Sequence, residues 1–159
     1  MSTNSGLAAL GMIAAALLVA PVHAQEIRLA PSEFDFGQAA SAGPGTSGFA
    51  AIQTIVLKGD PTKPGLYTIL LRVPAQTRIA AHRHPDDRIA TVVSGTWYFG
   101  YGKTFDPAAL KPLPPGSFYT EPSAKDHFAE TRDSAVMVQI TGLGPTSTTY
   151  VEQTDTPAK

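Results

Sequence analysis

Three histidines are the residues of this chain whose type and spacing are best suited to chemistry. His82 and His84 form a His-x-His pair in the segment AAHRHPDDR, and His127 follows 43 residues after His84 in SAKDHFAET. Imidazole is the commonest protein ligand of catalytic first-row metals, and three imidazoles leave coordination positions open for water or substrate. The fourth histidine, His23, precedes a predicted cleavage site. The pattern therefore predicts a three-histidine metal site, with three separately hydrogen-bonded histidines as the alternative.

The composition excludes several other kinds of chemistry. The chain of 159 residues contains no cysteine, so it has neither a disulfide framework nor a catalytic thiolate. Twelve basic and thirteen acidic residues give a net charge of −1, and the sequence has no basic block that would indicate a nucleic-acid surface. We therefore expect a small-molecule ligand and no nucleic-acid partner.

Residues 1–24 are predicted to be a signal peptide. The apolar run at residues 7–20 is too short to span a bilayer comfortably, and Val22 and Ala24 are the small residues expected before a cleavage site. The alternative is a buried N-terminal helix or an uncleaved anchor. We expect cleavage before Gln25, a periplasmic or secreted protein, and no membrane association after cleavage.

Short strands are the elements that must position the histidines. β-rich runs occupy residues 51–58 and 66–73, and further short runs follow, separated by turns rich in Pro and Gly. This pattern, without an amphipathic helix of ordinary length, predicts one all-β domain at residues 49–151. Residues 25–48 are predicted to be an extended or mobile lead-in and residues 152–159 a C-terminal tail. An immunoglobulin-like sandwich would satisfy the strand count but not the positions of the histidines.

The His-x-His pair belongs to a longer pattern. Five residues separate Gln76 from His82, three separate His84 from Arg88, and six separate Arg88 from Gly95. A strand that carries His82 and His84 points both side chains to the same face, because alternate residues of a strand share a face.

A second pattern surrounds the third histidine. Five residues separate Gly116 from Pro122, two separate Ala124 from His127, and three separate His127 from Thr131. Together the two patterns resemble the motifs of the cupin superfamily, whose members are double-stranded β-helix (jelly-roll) barrels. The first cupin motif is Gly, five residues, His-x-His, three or four residues, Glu, six residues, Gly. The second is Gly, five residues, Pro-x-Gly, two residues, His, three residues, Asn.

Four positions depart from these motifs, and one of them changes the chemistry. Gln76, Ala124 and Thr131 replace residues of turns. Arg88 stands where the family has its carboxylate ligand, and a guanidinium cannot ligate a metal.

The arginine at position 88 leaves three interpretations of the metal site. The first is a three-histidine site with Arg88 facing the cavity, similar to the cupins cysteine dioxygenase and acetylacetone dioxygenase. In the second, Asp86, Asp87 or Glu121 replaces the missing carboxylate. In the third, the barrel binds a ligand without a metal. Glu121 precedes a proline at a position that is usually apolar in cupins, so it is also a candidate to enter the barrel and pair with Arg88.

The resemblance implies a divalent transition metal (Fe, Mn, Ni, Cu or Zn) bound by His82, His84 and His127. We predict that Arg88 acts as a catalytic residue that orients an anionic oxygen of the substrate, with a structural ion pair as the alternative. The expected activity is dioxygenase-like and directed at an enolisable or phenolic substrate. Isomerase and lyase chemistry remain open, as does a non-catalytic module that binds a small ligand or metal. We also expect a homodimer paired through the strand at residues 51–58.

Overall fold

The computed structural model describes residues 26–157, so the predicted signal peptide lies outside the described residues. Within that range the chain forms two antiparallel sheets joined by turns and short 3₁₀ segments. The strands are β1 (Ala40–Ser41), β2 (Gln53–Lys58), β3 (Gly65–Val73), β4 (Arg78–Arg83), β5 (Arg88–Ser94), β6 (Trp97–Tyr101), β7 (Lys111–Leu113), β8 (Phe118–Glu121), β9 (His127–Glu130), β10 (Val136–Gly144) and β11 (Thr149–Tyr150). None of the helices in residues 26–157 is long and apolar enough to cross a membrane.

The chain winds back and forth between the two sheets. One sheet has the order β1-β2-β3-β10-β5-β8, and the other has the order β11-β4-β9-β6-β7. From β3 to β11 each strand lies in the opposite sheet from the strand before it, apart from the β6–β7 pair. This winding produces a double-stranded β-helix, which confirms the predicted all-β fold class.

Alternating burial decides which side chains enter the barrel. Along β5, Arg88, Ala90 and Val92 are buried, whereas Ile89 and Thr91 are exposed. A strand with one face on a core has this period of two. The apolar core lies between the sheets and includes the following residues: Ile52, Tyr67, Ile69, Leu71, Val73, Ile79, Val92, Trp97, Phe99, Tyr119, Val136, Val138 and Ile140.

Two residues that replace motif glycines keep a glycine-like backbone. Gln76 and Ala124 both have φ of +57°, in the left-handed region that ordinary residues seldom adopt. Gln76 N–H donates to the Arg132 carbonyl at 2.9 Å, and Ala124 N–H donates to the His84 carbonyl at 2.8 Å. These turn bonds hold the conformation, so Gln76 and Ala124 form the kind of turn for which a glycine is suited.

The outer edge of β2 is partly covered. Ala40 and Ser41 of β1 pair with Thr54 and Gln53, so the first residues of the predicted dimer edge already have a partner strand. The homodimer stays a prediction.

Candidate metal centre

The two sheets bring the three predicted histidines together inside the barrel. His82 lies in β4 directly opposite His127, the first residue of β9, and His84 follows the end of β4. All three side chains are buried. One nitrogen of each ring lies within 4.8 Å of the corresponding nitrogens of the other two, so the three rings could hold a metal ion.

Backbone carbonyls fix the tautomer of each imidazole. Nδ1 of His82 lies 2.8 Å from the Ala80 carbonyl oxygen, Nδ1 of His84 lies 2.8 Å from that of Ser147, and Nδ1 of His127 lies 3.0 Å from that of Lys125. A carbonyl only accepts, so each Nδ1 carries the proton and donates it, which leaves a lone pair on Nε2. Nε2 of His84 and Nε2 of His127 are buried without a hydrogen-bond partner in the described part of the chain. This donor set fits a divalent metal.

The three imidazoles are neutral at neutral pH. Burial, followed by the proximity of His127, lowers the pKa of His82 to about 3. Burial, followed by the Arg88 guanidinium, lowers the pKa of His84 to about 2. Burial also lowers the pKa of His127, although Glu121 opposes the shift. Neutral imidazole is the form that ligates a metal, because a metal must otherwise displace a proton.

A buried ion pair lies beside the imidazoles. Arg88 and Glu121 are directly opposite each other on β5 and β8, and both side chains are almost fully buried. Arg88 donates from Nε to Glu121 Oε2 at 2.7 Å and from Nη2 to the same oxygen. Burial alone would raise the pKa of Glu121, but the Arg88 guanidinium lowers that pKa well below its usual value. The catalytic role of Arg88 toward a substrate stays a prediction.

The three candidate carboxylates occupy different surroundings. Asp86 accepts from the Tyr67 hydroxyl at 2.7 Å and from the Thr146 hydroxyl at 2.6 Å, so both of its oxygens are engaged. Asp87 accepts from the backbone N–H of Ser123 at 2.7 Å, in the turn before β9. Glu121 is the candidate that faces the histidines: its Oε2 lies 3.8 Å from His84 Nε2 and 3.7 Å from His127 Nε2.

The cavity beside these groups is small. Its volume is about 30 Å³, and the charged and imidazole side chains that line it are those of His82, Arg88, Glu121 and His127. The remainder of the wall consists mainly of apolar side chains from both sheets, including Phe99, and of residues 45–47. A water molecule needs roughly 10–15 Å³ measured in this way, so the cavity has room for about two waters.

Residues 43–48, which we call the strap, cover one side of this cavity. The strap follows β1, at the edge of one sheet, and is bonded to β11, at the edge of the other. Tyr150 in β11 donates from its hydroxyl to the Ser47 carbonyl at 2.6 Å, and the Thr148 hydroxyl donates to the Thr46 carbonyl. Within the predicted lead-in, this segment is therefore held against the barrel, with Thr46 and Ser47 buried.

The strap also contacts the ion pair. Arg88 donates from Nη1 to the Gly45 carbonyl at 2.6 Å. Gly45 has φ of +81°, and a Cβ there would lie 3.1 Å from the Thr146 methyl and 3.5 Å from Arg88 Nη1. A side chain at position 45 is thus disfavoured both by the backbone and by the space. Sequence reasoning missed this contact, because small residues without a hydrophobic period give no signal of burial.

Comparisons with known proteins support the fold. No protein-family model matches the sequence, and no curated protein matches it either. The DMSP lyase DddQ from Ruegeria pomeroyi aligns over 70% of this chain and 54% of its own, at 19% identity and a TM-score of 0.51. A variant of salicylate 1,2-dioxygenase from Pseudoaminobacter salicylatoxidans aligns over 62% of this chain and 30% of its own, at 14% identity and a TM-score of 0.50.

A third solved structure is described as a sugar phosphate isomerase from a cupin superfamily, from Silicibacter pomeroyi. It aligns over 63% of this chain and 65% of its own, at 15% identity and a TM-score of 0.49. The chain thus spans less than two thirds of each of these three proteins. Structural similarity at sequence identities this low is evidence about the fold and not about the activity. The likeness to DddQ and to the dioxygenase variant, at TM-scores of 0.51 and 0.50, supports the double-stranded β-helix that the two motifs predicted.

Proposed function

We propose that this chain, which has the cupin fold, binds one divalent transition metal through His82, His84 and His127 and acts at that metal on a small oxygen-bearing or anionic substrate. One observation carries the proposal: buried neutral imidazoles converge, each with its Nδ1 proton bound to a carbonyl, and the Nε2 lone pairs of His84 and His127 have no partner among the described residues. Fe, Mn, Ni, Cu and Zn all suit imidazole ligands.

The charges around the cavity favour an anionic ligand. When bound, the metal would supply a Lewis acid, and iron would extend this to dioxygenase-like chemistry. The charges of Arg88 and Glu121 cancel, and the imidazoles are neutral. The side chains around the cavity therefore carry no net negative charge to balance a divalent ion. An anionic oxygen of an enolised or phenolic substrate would supply the missing negative charge.

Access limits the size of the substrate. The cavity of about 30 Å³ has no room for a phenolic ring, so such a substrate requires part of the wall to move, and the strap is a part of that wall that belongs to neither sheet. The strap is held by hydrogen bonds from Arg88, Thr148 and Tyr150, and its movement would therefore also release one bond of the arginine.

The nearly closed cavity also favours a second candidate function. Arg88 already binds Glu121 and the Gly45 carbonyl, and the strap covers the site. A barrel of this kind could sequester a metal or a small ligand without turnover. Oxygen uptake measured against diketones, phenols and thiols separates this binding module from an enzyme.

Elemental analysis of the purified, untagged protein tests the metal site. We expect about one divalent metal per chain, with bound metal well below stoichiometric in His84→Ala and in His127→Ala. Both variants should also lose the stabilisation that a native-state ligand provides and should melt at a lower temperature than the metal-loaded parent. His23→Ala is the control and should change neither quantity. Full metal content in both ligand variants would show that the three histidines do not form the site.

A further inference from the structure

We infer that Glu121 is a fourth metal ligand, so that the carboxylate which the cupin motif places on β5 is supplied here from the neighbouring strand β8. Arg88 is then a positioning residue that holds this carboxylate toward the histidines. The inference rests on the proposed metal site and adds a residue to it.

The pairing of β5 with β8 explains how a carboxylate can change strands and remain at the site. Arg88 and Glu121 are directly opposite partners, and both are buried against the same cavity. Residues directly opposite in an antiparallel pair have their Cβ atoms about 4.5–5.5 Å apart on one face of the sheet. A carboxylate at position 121 therefore reaches the region that a carboxylate at position 88 would reach.

The atoms of Glu121, His84 and His127 that face each other are all electron-pair donors, which a cation between them would bind. Glu121 Oε2 lies 3.8 Å from His84 Nε2 and 3.7 Å from His127 Nε2. Each of these nitrogens has a lone pair rather than a proton, because the Nδ1 protons are bound to carbonyl oxygens. Atoms bound about 2.0–2.2 Å from one tetrahedral metal lie about 3.3–3.6 Å apart, slightly less than the distances observed here.

Arg88 fixes the position of the carboxylate, and a metal at Oε2 would take the place of one of the two bonds that this oxygen accepts from Arg88. Arg88 donates from Nε and Nη2 to the oxygen that faces the histidines, while Nη1 donates to Gly45. Carboxylates that ligate metals are themselves commonly hydrogen-bonded, and such partners orient the ligand. Asp86 and Asp87, by contrast, are bound to hydroxyl and backbone groups elsewhere.

The test uses Co²⁺ as the probe on chelator-treated, full-length protein. Affinity is measured by competition with a chelator, and the visible absorption spectrum reports the coordination. We expect Glu121→Gln to weaken Co²⁺ binding by about a hundredfold or more and to change the spectrum. Asp87→Asn is the matched control and should change neither, because the amide oxygen can still accept from Ser123. The melting temperature of each metal-free variant reports the structural loss separately.

The exchange variant, Arg88→Glu combined with Glu121→Arg, restores the carboxylate to the strand where the motif has it and keeps the ion pair. We expect its Co²⁺ affinity to lie within about tenfold of the parent. If Glu121→Gln does not fold, the exchange variant alone tests the inference. A loss of Co²⁺ affinity of more than about tenfold in that variant would overturn it.

The outcomes separate this inference from the proposed function. If Glu121→Gln keeps the parent affinity and spectrum while His84→Ala loses Co²⁺, the fourth ligand is wrong and the three-histidine site stands. If the parent protein itself binds no Co²⁺, Zn²⁺ or Fe²⁺, both are wrong.

Discussion

Replacing Tyr150 by Phe should loosen the strap while leaving the rest of the barrel unchanged. The substitution keeps the ring, which packs 5.4 Å from the His82 ring between centroids, and removes only the hydroxyl that donates to the Ser47 carbonyl at 2.6 Å. The bond is almost fully buried, because Tyr150 is 8% exposed and Ser47 is 6% exposed. The loss therefore leaves a buried carbonyl without its donor.

The expected free-energy cost of losing this hydrogen bond follows from its burial. A buried acceptor that loses its donor costs about 1–2 kcal/mol here, between the net value of a hydrogen bond and the full desolvation cost. This cost falls on the strap-closed state and not on an opened state, in which water replaces the tyrosine. An equilibrium shifts tenfold for each 1.4 kcal/mol, so opening of the strap should become about 5–30-fold more frequent.

Native-state hydrogen exchange measures this opening directly. The Thr46 amide donates to the Gly43 carbonyl at 3.2 Å, and the Gly48 amide donates to the Thr46 hydroxyl at 3.1 Å. Both amides should exchange about 5–30-fold faster in Tyr150→Phe, whereas amides in the paired strands around Ile69 and Ile140 should keep their protection. In metal-loaded protein, the rate at which a chelator removes the metal should rise by the same factor.

Tyr101→Phe is a matched control. It also removes a tyrosine hydroxyl that donates to a backbone carbonyl at 2.6 Å, but its partner is Thr120, away from the strap. Exchange of the Thr46 and Gly48 amides should not change in this variant. Equal exchange of those amides in the parent and in Tyr150→Phe, or unprotected strap amides in the parent, would refute the reasoning.

Three further predictions concern pH, signal-peptide cleavage and assembly. Because the pKa values of His82 and His84 lie near 3 and 2 in the fold but near 6.5 in the unfolded chain, acid favours unfolding. Between pH 7 and pH 5, protonation of each of these two histidines in the unfolded chain should lower the unfolding free energy of metal-free protein by about 2 kcal/mol. Urea titrations at the two pH values measure the loss. A total loss below about 1 kcal/mol would contradict neutral buried imidazoles. We also expect mass spectrometry of the exported protein to find an N-terminus at Gln25 and light scattering to find a dimer. An intact Met1 would contradict cleavage, and the mass of a single mature chain would contradict the dimer.

The sequence predicted the parts of the site that depend on local spacing. His82 and His84 are two residues apart, a spacing that puts both side chains on one face of an extended segment, and this holds although β4 ends at Arg83. The positions of both motifs in the chain then predicted that His127 would join them, through a known pattern rather than through geometry. Gln76 and Ala124 show why the pattern tolerated substitutions, since both keep the left-handed backbone of the residues they replace.

The position of Glu121 could not be decided from the sequence. Its approach to the histidines depends on the register between β5 and β8, in which Arg88 is opposite Glu121 although Glu121 comes 33 residues later in the chain. Sequence spacing does not specify which residues of two distant strands are paired. For the same reason Asp86, Asp87 and Glu121 all stayed alternatives from the sequence, although Glu121 was the one expected to be able to enter the barrel.

The strap has a consequence for the order in which the molecule assembles. Thr46 and Ser47 are synthesised early, but the side chains that hold them, Thr148 and Tyr150, come 102 and 103 residues later. Closing so long a loop is a late event in folding, because its entropic cost is offset only once the sheets have formed. We therefore expect a stage of folding in which the histidines are assembled but still open to solvent. A metal ion could enter at that stage, before the strap binds to Thr148 and Tyr150 and covers the site.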